Sequence, residues 1–271
     1  PQLRAGLEAL MLRCRMRDEL VAGLGVSATT RYRPGVRALF TGPSGTGKTL
    51  AAGWIASRLG LPLFRVDLAS VTSKYIGETE KNLAQLLARA EQAEVILLFD
   101  EADSLFGKRT DISDSNDRFA NAQTNYLLQR IENYDGIVLL TSNSQARFDT
   151  AFARRIDFVV EFSPPGPDER RAIWLSHLGA RTAVAPAELN RLSALIDFSG
   201  GHIRNVVLAA AVHARLESRP IAFPDLVRAA ETELRKLGRQ TPIDLRKTIE
   251  PSDRGEPNHN PQSQTKNTTR C

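Results

Sequence analysis

The chain has 271 residues, 42% hydrophobic and 25% charged, which are ordinary globular proportions at a length that can bury a core without disulfide or metal staples. Lys and Arg number 36 against 31 Asp and Glu, and the resulting +5 permits nucleic acid as a partner without arguing for it. The two cysteines, Cys14 and Cys271, exclude a disulfide framework and a thiolate zinc site and favour a reducing, cytoplasmic setting.

Residues 2 to 23 carry Leu3, Leu7, Leu10, Cys14 and Val21 at helical spacing, so the segment 1–34 is expected to hold an N-terminal helix and a linker. The chain opens on Pro1, with no charged-then-apolar leader, and the expectation is a piece of a longer protein without a secretory signal. From Gly35 the pattern changes. Short aliphatic runs at Val36–Thr41, Leu63–Leu68, Val95–Asp100, Ile137–Thr141 and Phe158–Phe162 alternate with longer helical stretches. Runs apolar on both faces with helices between them predict an α/β fold, a doubly wound parallel five-stranded sheet over residues 35–165. None of these runs is long enough to span a bilayer. Pro164-Pro165-Gly166-Pro167 then breaks the chain, and helical patterns begin at Asp168, near Ala187, at Gly201 and at Phe223. They predict a small helical domain over 166–238. After Gly238 the apolar content falls to Ile243, Leu245 and Ile249 among four prolines, and 239–271 is expected to be a disordered tail.

Gly42-Pro43-Ser44-Gly45-Thr46-Gly47-Lys48-Thr49 fits G-x-x-x-x-G-K-[ST] at every fixed position. It also stands between a predicted strand and a predicted helix, as the mechanism requires. Glycines let backbone amides wrap a polyphosphate, and the helix N-terminus adds positive potential. Lys48 is expected to reach the outer phosphates, and the Thr49 hydroxyl to coordinate Mg2+. A second signal follows. The strand Val95-Ile96-Leu97-Leu98-Phe99 ends in Asp100-Glu101, where Asp100 is expected to hold Mg2+ through water and Glu101 to orient and deprotonate an attacking water.

With these two motifs the chain resembles an AAA+ ATPase module from about Gly35 to Leu237, a P-loop NTPase core followed by a helical lid. The resemblance implies ATP and Mg2+ as cofactors and ATP hydrolysis as the activity. It implies that Asn143, in Thr141-Ser142-Asn143, holds the lytic water with Glu101. It implies that Arg154 and Arg155, in Ala151-Phe152-Ala153-Arg154-Arg155, are fingers reaching the nucleotide of a neighbouring subunit. Gly200-Gly201-His202-Ile203-Arg204-Asn205 resembles the second sensor, in which Arg204 touches the outermost phosphate; members of the AAA clade proper often lack this arginine, and His202 receives no role.

The stretch Ser73-Lys74-Tyr75-Ile76-Gly77-Glu78-Thr79-Glu80-Lys81-Asn82-Leu83 resembles the first pore loop of the katanin, spastin and Vps4-like remodelling ATPases. There an aromatic and an aliphatic residue grip a threaded polypeptide, which here implies Tyr75 and Ile76, preceded by Lys74. Residues 107 to 118 occupy the place of a second pore loop. The same resemblance implies a hexameric ring acting on a protein substrate. A narrower similarity, to bacterial AAA ATPases found with contractile injection systems, rests on the Ser73–Leu83 stretch, on Phe-Asp-Glu-Ala-Asp-Ser-Leu-Phe-Gly-Lys-Arg and on Gly-Gly-His-Ile-Arg-Asn. The competing reading is a nucleic-acid motor or loader on the same core. An apolar rather than basic pore grip, and the lack of a DNA-binding motif, weigh against it. A slow nucleotide-dependent scaffold is the third reading, and Glu101, Asn143 and Arg154 speak against that.

Overall fold

The computed structural model describes residues 2–30, 32–66, 78–103, 126–143, 154–179 and 182–246. They fall into two compact units. The first takes residues 1–173 together with Asp197–Ile203, and the second takes Trp174–Ile196 and the chain from Arg204 onward.

In the first unit, strands β1 (Val36–Thr41), β2 (Leu63–Val66), β3 (Ile96–Phe99), β4 (Ile137–Ser142) and β5 (Phe158–Glu161) form one sheet in the order β2-β3-β4-β1-β5. Every pairing is parallel, with Val36 opposite Ile137, Ile96 opposite both Leu63 and Ile137, and Ala38 opposite Phe158. The expected five strands are therefore present, each within two residues of its expected ends.

Side chains alternate across the sheet, and the two faces bury different partners. Leu39, Leu97, Phe99, Val138 and Leu140 pack with Leu83, Leu87 and Ala90 of the helix Glu78–Gln92 and with Leu127, Leu128 and Ile131 of a helical segment over 126–132. Ala38, Phe40, Ile96, Leu98, Ile137 and Leu139 face the other way. They meet Leu10 and Cys14 of α1 (Gln2–Arg15) and Ala52, Ile55 and Ala56 of α2 (Lys48–Leu59). Strands β1, β3 and β4 are buried along their whole length because both faces are covered, whereas the edge strands β2 and β5 expose Phe64 and Val159. We number the helix Glu78–Gln92 α3.

The extent of the units departs from the expected segments: residues 166–173 and Asp197–Ile203, expected in the helical domain, fall in the first unit. The helix expected within 1–34 is present as α1, and it belongs to the first unit's core, closing one face of the sheet through Leu10 and Cys14. It stops at Arg15, so Val21 lies outside it and is exposed. A further departure concerns the end of the helical unit, described next.

Within the second unit run the end of α4 (Pro167–Leu178) from Trp174 onward, α5 (Pro186–Leu195), most of α6 (Gly200–Leu216) and α7 (Phe223–Lys236). Trp174, Leu189, Leu192, Val206, Ala210, Leu226, Val227 and Ala230 are among its buried side chains on these four helices. Glu188 and Asp225 accept hydrogen bonds from the amides of Ala185 and Ala222, satisfying backbone donors at the starts of α5 and α7. Residues 239–246, expected to be tail, continue the fold. Ile243–Arg246 makes a helical turn, Leu245 is fully buried, and Arg191 of α5 donates to the carbonyl of Asp244. Thr241 is buried as well, although the stretch is poor in apolar residues. Residues 247–271 lie outside the described residues.

Candidate active site

All five strands point their C-terminal ends to one edge of the sheet, and the order β2-β3-β4-β1-β5 makes the chain leave β1 and β4 in opposite directions there. The loop after β1 is the glycine-rich one. Gly42 has φ 138°, and a Cβ on it would stand 2.0 Å from the carbonyl oxygen of Phe162, so only glycine fits. Gly47, at φ 99°, turns the chain into α2 and faces open space. The motif thus lies in the expected strand–loop–helix context, with its amides at the N-terminus of a 12-residue helix. Ser199 and Gly201 pack on the same loop: the amide of Gly201 donates to the carbonyl of Gly45 at 3.2 Å, and a Cβ on Gly45 would strike the Ser199 hydroxyl.

Lys48 is buried, and its ammonium donates to the carbonyls of Gly42 at 2.7 Å and Pro43 at 3.0 Å and to Asn143 Oδ1 at 2.9 Å. Burial pushes the ammonium pKa below its ordinary value, while Asp103, Asp100 and Glu101 oppose that shift through their charge. The Thr49 hydroxyl lies 3.2 and 3.3 Å from the two oxygens of Asp100. A hydroxyl and a carboxylate brought together beside a lysine form a hard oxygen donor set, which fits a Mg2+ ion accompanying a polyphosphate. Asp100 also accepts from Thr141 Oγ1 at 2.5 Å and pairs with the exposed guanidinium of Arg65 at 3.0 Å.

Glu101 follows in a left-handed conformation, φ 55°, which costs a non-glycine residue about 1–2 kcal/mol. Its amide donates to Thr141 Oγ1 at 3.0 Å, and the next amide, Ala102, donates to the Thr141 carbonyl at 2.9 Å. Asp103 closes the turn. It accepts from the Ser142 hydroxyl and, at 2.9 Å, from the Asn143 amide. The ends of β1, β3 and β4 therefore bring Lys48, Thr49, Asp100, Glu101 and Asn143 into one bonded constellation.

Sequence reasoning assigns no role to Arg65, Asp103, Thr141, Ser142 or Ser199. Asp103, Thr141 and Ser142 stand within motifs quoted above, so a signal existed for them. Arg65 had none, since nothing in a strand residue announces which strand end it will overhang.

The two arginines of the finger segment differ. Arg155 forms an ion pair with Glu132 of its own chain at 2.7 Å, whereas Arg154 is exposed. Asp157, two residues on, takes bonds from the amide and the guanidinium of Arg37 in β1, and Arg37 also donates to the carbonyl of Glu132. The segment is tied to β1 and to the end of the helical segment over 126–132. Arg204 belongs to the second unit and is exposed, while His202, in the first, shares a hydrogen bond with Ser199 at 3.0 Å. Lys74, Tyr75 and Ile76, and residues 107–118, lie outside the described residues.

Residues 38–164, which contain this whole constellation, match the ATPase family associated with various cellular activities, AAA. The chain carries an AAA ATPase domain. It is similar to the uncharacterized AAA family ATPase y4kL of Sinorhizobium fredii, 34% identical over 74% of this chain and 61% of the relative. The proteasome-activating nucleotidase of Aeropyrum pernix is 30% identical over 85% of this chain and 57% of the relative. The chain thus spans about three fifths of the length of these two curated relatives. Among solved structures, the AAA domain of FIGL-1 in complex with ADP superposes with a TM-score of 0.63 at 25% identity, covering 89% of this chain and 83% of that one. Among the described residues of this AAA chain, no helix is long and apolar enough to cross a membrane.

Proposed function

We propose that this AAA domain binds and hydrolyses ATP with Mg2+ and uses the energy, in a hexameric ring, to remodel a protein substrate in the cytoplasm. The single observation that carries the ATPase reading is the convergence of two bonded pairs, Lys48 with Asn143 and Thr49 with Asp100, at the C-terminal edge of the sheet.

In this reading the amides of Gly45 to Thr49 and the Lys48 ammonium hold the phosphates. Lys48 exchanges bonds to its own loop carbonyls for phosphate oxygens, so the ligand meets a cation already desolvated. Thr49 and Asp100 hold the Mg2+, which supplies charge neutralisation on the phosphates when bound. Glu101 takes a proton from the attacking water, and Asn143 fixes that water's position, with its own carbonyl anchored by Lys48. Arg154 reaches across to a neighbour's nucleotide, and Arg155, held by Glu132, sets the segment's direction. Arg204 takes the role of the second sensor, which in the family belongs to a helical lid. Tyr75 and Ile76, with Lys74, grip the substrate polypeptide.

The remodelling reading is supported by the pore-loop resemblance and by relatives named as a proteasome-activating nucleotidase and a cell division cycle protein 48 homolog. Electron-microscope images of the full-length Glu101→Gln protein with ATP test it: a six-membered ring with polypeptide in its channel is expected, and particles that stay monomeric with ATP bound would sink it. Finger action across the subunit boundary has its own test. Mixing inactive Arg154→Ala with inactive Lys48→Ala chains should restore part of the ATPase rate, because an intact pocket then meets an intact finger.

A further inference from the structure

We infer that Thr141 is a positioning residue for hydrolysis, whose hydroxyl locks Asp100 and Glu101 into their working relation; the inference rests on the ATPase reading above. The parallel ladder between β3 and β4 ends at Phe99 opposite Leu140. Beyond that pair Thr141 bonds three residues in succession on the segment that follows β3. Its hydroxyl donates to Asp100 Oδ1, the same hydroxyl accepts from the Glu101 amide, and its carbonyl accepts from the Ala102 amide.

A hydroxyl has one proton and two lone pairs, so it can serve a carboxylate and an amide at once. Neither valine nor alanine can. The residue is almost fully buried, at 1% exposure, so water cannot replace the lost bonds without a cavity to enter. Its β-branch restricts χ1, which holds the hydroxyl toward the carboxylate. The geometry gives a consequence for each neighbour. Asp100 has its Oδ1 committed to Thr141, which fixes the carboxylate plane that Thr49 and Arg65 also meet. Glu101 is kept at φ 55°, and that conformation decides where its carboxylate projects beyond the strand end.

The experiment compares Thr141→Val, which keeps shape and loses the hydroxyl, with Thr141→Ser, which keeps the hydroxyl. Steady-state ATPase kinetics, binding of a fluorescent ATP analogue with Mg2+, and amide hydrogen exchange at Glu101 in the nucleotide-free chain are read on both. Thr141→Val should lower kcat about tenfold or more, with nucleotide affinity within about twofold of the parent, and should speed exchange of the Glu101 amide. Thr141→Ser should restore both readouts most of the way. Unchanged exchange at Glu101 in Thr141→Val would overturn the inference, and so would a serine variant as slow as the valine one. A fall in affinity and melting temperature in step with kcat would reduce Thr141 to a packing residue and overturn it as well. A parent chain that binds no nucleotide fails the ATPase reading instead, and the exchange measurement still decides whether the hydroxyl holds Glu101.

Discussion

At the C-terminal edge of the sheet, Lys48 and Asp103 are held by carbonyls, hydroxyls and amides, whereas in the helical unit Asp225 is held by the guanidinium of Arg219, with Arg228 nearby. A charge held by neutral partners is oriented without being neutralised by them, so it can still attract a ligand of opposite sign. A charge met by a counter-charge has given that up in exchange for a fixed structure. Asp225 shows the second arrangement in full. Arg219 contacts both of its oxygens, the second at 2.8 Å, and the Ala222 amide adds a third bond at the start of α7. The difference separates a region built to receive something from one built to stay closed. Asp100 stands between the two, since it takes hydroxyl bonds from Thr141 and Thr49 but also meets the exposed Arg65.

The largest expected effect is chemical. Glu101→Gln should retain nucleotide binding and lose turnover by about a hundredfold or more, because the amide cannot accept the proton. Single-turnover hydrolysis measured beside nucleotide affinity checks it, and near-parental hydrolysis would remove Glu101 from the base role.

Next in size is the loss of the structural pair. Arg219→Ala leaves a buried carboxylate without its main partner and should lower the melting temperature of the helical unit. Arg219, then the Ala222 amide, holds the Asp225 carboxyl below its ordinary range. A depressed folded-state pKa means that the stabilisation is present above the unfolded value, about 3.9, and is lost as pH falls through the folded one. Trp174 is fully buried in this unit, so in a Trp54→Phe background its fluorescence reports the transition. The parent should weaken in acid below about pH 4, and Arg219→Ala should flatten that dependence.

Lys48→Met sharpens the contrast. It should abolish nucleotide binding yet leave the melting temperature unchanged or slightly raised, since burial disfavours the ammonium that it removes. A large drop in stability would mean that Lys48 is a structural cation like Arg219. The smallest effect belongs to Arg65→Ala. Its guanidinium is 66% exposed, and the pair should contribute about 0–1 kcal/mol to stability, read by denaturant titration. A larger loss would place Asp100 on the structural side of the comparison.

The five strands, the order of helices and the phosphate loop were legible in the sequence because each is written in neighbouring residues. Alternation of Ala38, Leu39 and Phe40, or of Ile96, Leu97, Leu98 and Phe99, needs only the pleat to send side chains to two faces. Gly42 to Thr49 needs only a short loop before a helix. Burial of α1 was half legible, since Leu10 and Cys14 share a helical stripe, but nothing local says that the stripe covers the sheet. The ordered turn at Ile243–Arg246 was hidden for the same reason, depending on Arg191 and on the space that receives Leu245.

What the sequence determined by itself, then, is every feature set by spacing along one segment: strand and helix periods, the glycines of the loop, the acidic pair closing β3. What only the tertiary structure decided is which partners those features meet across the sheet. Thr141 stands next to Asp100 and Glu101 because β3 and β4 are paired in one register, and a slip of one residue would turn its hydroxyl to the other face. Arg155 likewise meets Glu132 only because the segment before β5 returns beside the helical segment over 126–132. Such pairings join residues far apart in the chain, so no local pattern encodes them, and they appear once the sheet fixes its order.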